Sequence, residues 1–231
     1  GWSWIGYTPN ESLDINTALS SLSDQATGGS DYIKSFTGFA DYYDGFGWFG
    51  TGLDYLNPKD GYMLDFTNSD ILIYPDPDTG RSNHNQIITT SFNKKWDVNY
   101  RDFEYNGSIT MSLDKNILNI SENDQIGAFY KDECRGVTKA TKCPLNDEII
   151  FQMMIYSNND NEELTFKYYN GNDDSIIDLT NKVIFTKDMH LNNALDPYEL
   201  TNELPLSYSL HNAYPNPFNP VTNIKYSLSD N

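Results

Sequence analysis

Short alternating segments, each ended by residues that turn the chain, constrain this sequence more than any other feature. Residues 39–43 (FADYY) run into Asp44-Gly45, a dipeptide that accepts the backbone of a tight hairpin. Residues 46–49 follow, and 57–61 (NPKDG) place a turn former at nearly every position before 62–66 and 71–74. Farther on, Ile109, Met111 and Leu113 alternate with Ser108, Thr110 and Ser112, while Ile126, Ala128 and Tyr130 share one face. Residues 135–139, 149–157, 164–169 and 183–186 continue the series between polar turns at 131–133, 158–163 and 170–175. A period of two bounded by turn residues is the pattern of a strand with one buried face. The chain is therefore expected to be all-β.

One exception stands near the start. Ile15, Ala18, Leu19 and Leu22 fall at i, i+3, i+4 and i+7, which predicts a short helix capped by Asp14 or Ser12. Residues 1–80 then read as an aromatic-rich β domain with that helix and an opening strand, GWSWIGY, that interleaves Trp2, Trp4 and Tyr7 with Ser3, Ile5 and Gly6. A polar, turn-rich run begins at Pro75, and 81–95 is the expected linker, with 87–90 a further strand candidate. Strands separated by polar turns over 96–202 suggest an immunoglobulin-like sandwich, and 203–231 reads as an extended C-terminal tail.

The 231 residues suffice for two small cores. Fifteen Lys and Arg against thirty-three Asp and Glu leave a net charge of −18, which argues against nucleic acid and anionic membrane surfaces as partners. No apolar run is long enough to insert in a membrane as a helix. Cys134 and Cys143 lack a CxxC spacing, so a disulfide closing a short loop is expected in an exported protein, two buried thiols being the alternative.

Aromatic density supplies the candidate ligand site. Trp2, Trp4, Tyr42, Tyr43, Trp48 and Tyr62, with Asp44 beside them, are many large rings for a domain of this size. Rings exposed on a sheet or hairpin can stack on sugar faces while neighbouring carboxylates bind hydroxyls; the competing reading is that they fill the core. Asp76 and Asp78 precede Gly80, and Asp173 and Asp174 lie in an oxygen-rich turn, so Ca2+ is the ion these loops would hold. Neither has the full spacing of a calcium loop, and solvated turns are the alternative. No cofactor is otherwise implied. His84, His190 and His211 sit in no HExxH, and no GxSxG or phosphate-cradling glycine loop is present, so the expectation is a protein that is not an enzyme.

The tail carries a resemblance. Pro215, Pro217 and Pro220 stiffen residues 213–220, and alternation resumes over 221–228. Tyr214, Pro215, Asn216, Pro217, Phe218, Asn219 and Pro220, followed by VTNIKYSL, resemble the opening of the C-terminal sorting domain of type IX secretion substrates. That resemblance implies a secreted or outer-surface location and the type IX export machinery as a partner. The motif's usual later strands are missing, so a fragment of a longer protein is expected. GWSWI, YIKSFTGFADYYDGFGWFG and PKDGYML resemble a small module repeated in large exported bacterial proteins, a likeness that implies no activity. The run DQIGAFYKDECRG resembles part of modules that precede sorting domains. Together these readings imply a non-catalytic binding module for polysaccharide or another surface ligand. The rival class is an adhesive protein that self-associates by donating its tail strand.

Overall fold

The computed structural model describes residues 1–23, 29–76, 92–114 and 120–202, and the backbone at 209–210 and 226–227. In the first unit the order is β1 (Trp2–Gly6), β2 (Leu13–Asp14), α1 (Ile15–Ala18), β3 (Tyr32–Lys34), β4 (Phe39–Tyr43), β5 (Gly47–Thr51), β6 (Tyr55–Leu56) and β7 (Gly61–Asp65). Five of the strands form one antiparallel sheet, ordered β1-β7-β3-β4-β5, while β2 pairs with β6. The Asp44-Gly45 hairpin joins β4 to β5 as expected, with positive φ at Gly45 and Gly47. Gly47 is required there because a Cβ would run into Asn16, whose Oδ1 accepts the Trp48 amide hydrogen at 2.8 Å.

Asp14 caps α1 by accepting from the Thr17 amide at 3.0 Å. The expected apolar face is buried through Ile15, Ala18, Leu19 and Leu22, although the α-helix itself is only one turn. It packs on Ile33, Ala40, Trp48, Leu56, Tyr62 and Leu64, which are one face of the sheet and its margins. Residues 71–74 run without strand pairing, and Leu72 and Tyr74 pack on this core.

The second unit contains β8 (Tyr105–Leu113), β9 (Gln125–Tyr130), β10 (Glu133–Lys139), β11 (Thr141–Lys142), β12 (Ile149–Ser157), β13 (Glu163–Asn170), β14 (Ser175–Ile184), β15 (His190–Leu191) and β16 (Tyr198–Leu200). Two sheets, β10-β9-β13-β14 and β11-β12-β8-β15, face each other as a sandwich, with β15 and β16 both running parallel to β8. Ile109, Met111, Ile126, Ala128, Phe151, Met153, Phe166 and Tyr168 fill the space between them. Fully burying each large side chain contributes about 1.5–3 kcal/mol. Arg135 is buried at one end, 2.9 Å from Glu162 and over the rings of Phe103 and Tyr130. Beyond this unit, β17 (Ser209–Leu210) pairs antiparallel with β18 (Tyr226–Ser227).

The expected disulfide is not formed: Cys134 and Cys143 are both free thiols. The chain leaves one sheet at Lys139 and enters the other at Thr141, so Cys134 lies in a strand of one sheet and Cys143 just beyond a strand of the other. Cys134 Sγ is 3.4 Å from the Gly136 carbonyl, whereas Cys143 is buried with Tyr43, Ile150 and Ala194.

Candidate functional site

Because β-strand side chains alternate, the sheet of the first unit has a second face. It carries Trp2 and Trp4 from β1, Met63 from β7, Tyr32 and Lys34 from β3, and Phe39, Asp41 and Tyr43 from β4. Most of that face is covered by the β8–β12 side of the sandwich. Tyr32 and Phe39 pack with Phe103, Met154 and Tyr156, and the Tyr43 hydroxyl accepts from the Ala194 amide at 2.8 Å.

Polar groups line the middle of this seam. Tyr32 Oη is 2.8 Å from Ser108 Oγ, which is 3.0 Å from His190 Nδ1, and His190 Nε2 is 2.9 Å from Asp41 Oδ1. The last approach is a close contact in which the ring N–H is not aligned on the carboxylate oxygen. A hydrogen placed on Nε2 gives each donor an acceptor: Tyr32 donates to Ser108, Ser108 to His190 Nδ1, and His190 Nε2 faces Asp41. Burial pushes the Asp41 carboxyl above its ordinary value, an effect opposed by His190 and Tyr43.

Serine, histidine and aspartate at these spacings have the composition of a hydrolytic triad. The surroundings do not let them act as one. Ser108 is 0% exposed, it sits under the Tyr32 hydroxyl, and the His190 ring is stacked on Tyr32 at 4.0 Å between centroids. A nucleophile needs space for the substrate carbon about 3 Å from its oxygen, and Tyr32 and His190 take up the approaches to Ser108. The arrangement instead ties β3 and β4 to β8 and β15.

At the open edge of the seam the cover is incomplete. β1 is the outermost strand of its sheet, and Trp4 is 75% and Trp2 42% exposed. Beside Trp4 lies a groove of about 310 Å³ walled by Phe36, Met63, Glu104 and Tyr105, with Lys34, Asn106 and Asp188 at its polar end. Lys34 is 2% exposed, donates to Asn106 Oδ1 at 2.8 Å and Asp188 Oδ1 at 2.6 Å, and lies 5.5 Å from the Trp2 ring centroid. Burial lowers its ammonium pKa, and Asp188 opposes that shift. The groove thus joins apolar ring surface to fixed donors and acceptors, a combination suited to a small polar ligand with an apolar face.

The expected ligand residues divide between these environments. Tyr42 packs edge-on against Trp48 and Tyr62 is buried, both on the helix side, while Tyr43 is buried in the seam. Asp44 is exposed at the hairpin tip, away from the groove lining. Only Trp2 and Trp4 of the proposed rings present surface at the open edge. Phe36 and Glu104 complete the groove, and no local motif marks them. Asp174 is paired with Lys95 at 2.6 Å and Asp173 accepts from the Ser175 amide, so the two carboxylates serve a turn and a salt bridge. Asp78 and the motif 214–220 lie outside the described residues, as do His84 and His211. Among the described residues no three metal-ligating side chains converge. No helix there is long and apolar enough to cross a membrane. Comparison of the chain with protein-family models, curated proteins and solved structures gives no match.

Proposed function

We propose that this chain is a non-catalytic binding module displayed outside the cell, and that its ligand is a polysaccharide seated in the groove beside Trp4. The observation that carries the reading is the 75% exposed indole next to a polar-ended groove, on a sheet that buries Tyr32, Phe39, Tyr43, Trp48 and Tyr62. Contiguous exposed apolar surface rimmed by polar residues, as Trp2, Trp4 and Phe36 present here, marks contact with a partner. The net charge of −18 disfavours acidic polymers, so a neutral glycan is the ligand class the electrostatics support. The exterior location is supported by the YPNPFNP peptide and its resemblance to the start of a type IX sorting domain. Pairing of Tyr226–Ser227 with Ser209–Leu210 accommodates the tail strand within its own chain, which favours ligand binding over assembly by strand donation.

Pulldown on insoluble neutral polysaccharides, followed by titration with soluble oligosaccharides, tests this. Losing one stacked ring removes about 1.5–3 kcal/mol of burial, so Trp4→Ala should weaken binding roughly ten- to a hundredfold. Failure of the folded wild-type protein to bind any neutral glycan, or equal binding by Trp4→Ala, would sink the proposal.

A further inference from the structure

We propose that Lys34 and Asn106 become joined by an isopeptide bond formed by the protein itself, with Asp188 carrying the protons. The bond would link β3 of the first unit to β8 of the second at the polar end of the groove, and its formation needs no ligand there.

Three functional groups are brought together from positions far apart in sequence. Lys34 Nζ lies 2.8 Å from Asn106 Oδ1 and 2.6 Å from Asp188 Oδ1. The amide carbon of Asn106 is one bond beyond that oxygen. Asn106 Nδ2 reaches the carbonyls of Ser35 and Phe36, both at 3.3 Å, which turns its carbonyl oxygen toward the amine. Lys34 is 2% and Asn106 6% exposed, which limits the approach of water, the competing nucleophile, to the two reacting groups, while Asp188 is partly open to solvent.

The backbone supports the same geometry. Asp188 has a φ of 61°, an unfavourable conformation for a residue with a Cβ, and its amide donates to the Asn106 carbonyl at 2.9 Å. Gly107 allows that approach, because a Cβ there would collide with Met189. A left-handed turn residue and a glycine together place the carboxylate beside the amine.

The chemistry balances without any added reagent. The Lys34 ammonium passes a proton to Asp188, and the free amine attacks Asn106 Cγ, forming the N–C bond. Asp188 delivers that proton to Nδ2 and the Cγ–Nδ2 bond breaks, releasing ammonia; the adduct's extra proton passes to Asp188 and from there to the departing ammonia. Lysine ammonium and asparagine amide thus become a secondary amide and ammonium ion, and Asp188 ends as it began. Burial lowers the Lys34 pKa, which favours the amine that must attack.

Intact-mass spectrometry of the purified, denatured chain reads the outcome. The expected mass is that of the sequence less one ammonia, and a tryptic digest should contain a branched peptide with Lys34 bonded to Asn106. Lys34→Met should restore the full mass, and Asp188→Asn should abolish or greatly slow the loss in a protein that remains folded by circular dichroism. Asn106-Gly107 could also shed ammonia by closing a succinimide, but that product gives only linear peptides and survives Lys34→Met. Full mass in folded wild-type protein, or an ammonia loss that persists in Lys34→Met, would overturn the proposal.

Discussion

Replacing His190 with alanine tests whether the polar chain in the seam holds the two units together. The substitution removes the ring stacked on Tyr32, the acceptor of the Ser108 hydroxyl and the group facing Asp41. Leaving a buried polar partner unsatisfied costs about 1–3 kcal/mol, more for a carboxylate, and a lost hydrogen bond adds about 1 kcal/mol. Two effects reduce that sum. The His190 side chain is 22% exposed, and Asp41 can take up a proton in place of its lost partner. We expect a loss of about 3 kcal/mol near neutral pH, measured by urea unfolding with a single transition. Burial raises the folded-state pKa of Asp41 above its ordinary 3.8. Its protonated form is thus favoured by folding, and that contribution is fully present below 3.8 and lost as pH rises through the folded value. The deficit of His190→Ala should accordingly shrink as pH is lowered toward about 4, and Asp41→Asn should rescue part of it at neutral pH. A loss under about 0.5 kcal/mol, with no coupling in the Asp41 and His190 double-mutant cycle, would refute a structural role for the chain.

Asp124 offers the opposite pH dependence. Burial pushes its carboxyl up, but hydrogen bonds from Tyr168, Ser121 and Gly171 outweigh burial and hold it below 3.8. Its contribution should be present above that value and fade as pH falls through the lower folded pKa; Asp124→Asn should cost about 3 kcal/mol in urea unfolding near neutral pH. Gly50→Ala should destabilise by about 3 kcal/mol or prevent folding, since the new Cβ would enter the Phe39 carbonyl across the hairpin, and thermal melting reads the effect. Thiol titration without reductant should find two groups in denaturant, with the fully buried Cys143 unreactive in the native protein; an absence of free thiol would contradict the structure.

What the sequence announces is mostly local. The Asp44-Gly45 hairpin and the apolar phase of Ile15, Ala18, Leu19 and Leu22 follow from neighbours a few residues apart. The alternation that marks β8 and β9 is equally plain. β14 was legible only at its end, because Asp178, Asn181 and Lys182 break the alternation on a strand at the sheet's edge. The aromatics misled for a physical reason. Counting rings against one small core presumes a sheet with one covered face, whereas this sheet is packed on both, so Tyr43, Trp48 and Tyr62 are buried. The seam itself has no sequence signal: Asp41, Ser108 and His190 are brought together by packing between units, as are Lys34, Asn106 and Asp188.

The proposed ligand surface is the groove beside Trp4. Backbone NMR shifts recorded while a neutral oligosaccharide is added to the whole chain map that surface directly. Perturbations concentrated at Trp4, Phe36, Gly61, Met63 and residues 104–106 are the predicted result. Perturbations confined to the Asp44–Phe46 hairpin tip, or to the far face of the sandwich, would contradict it.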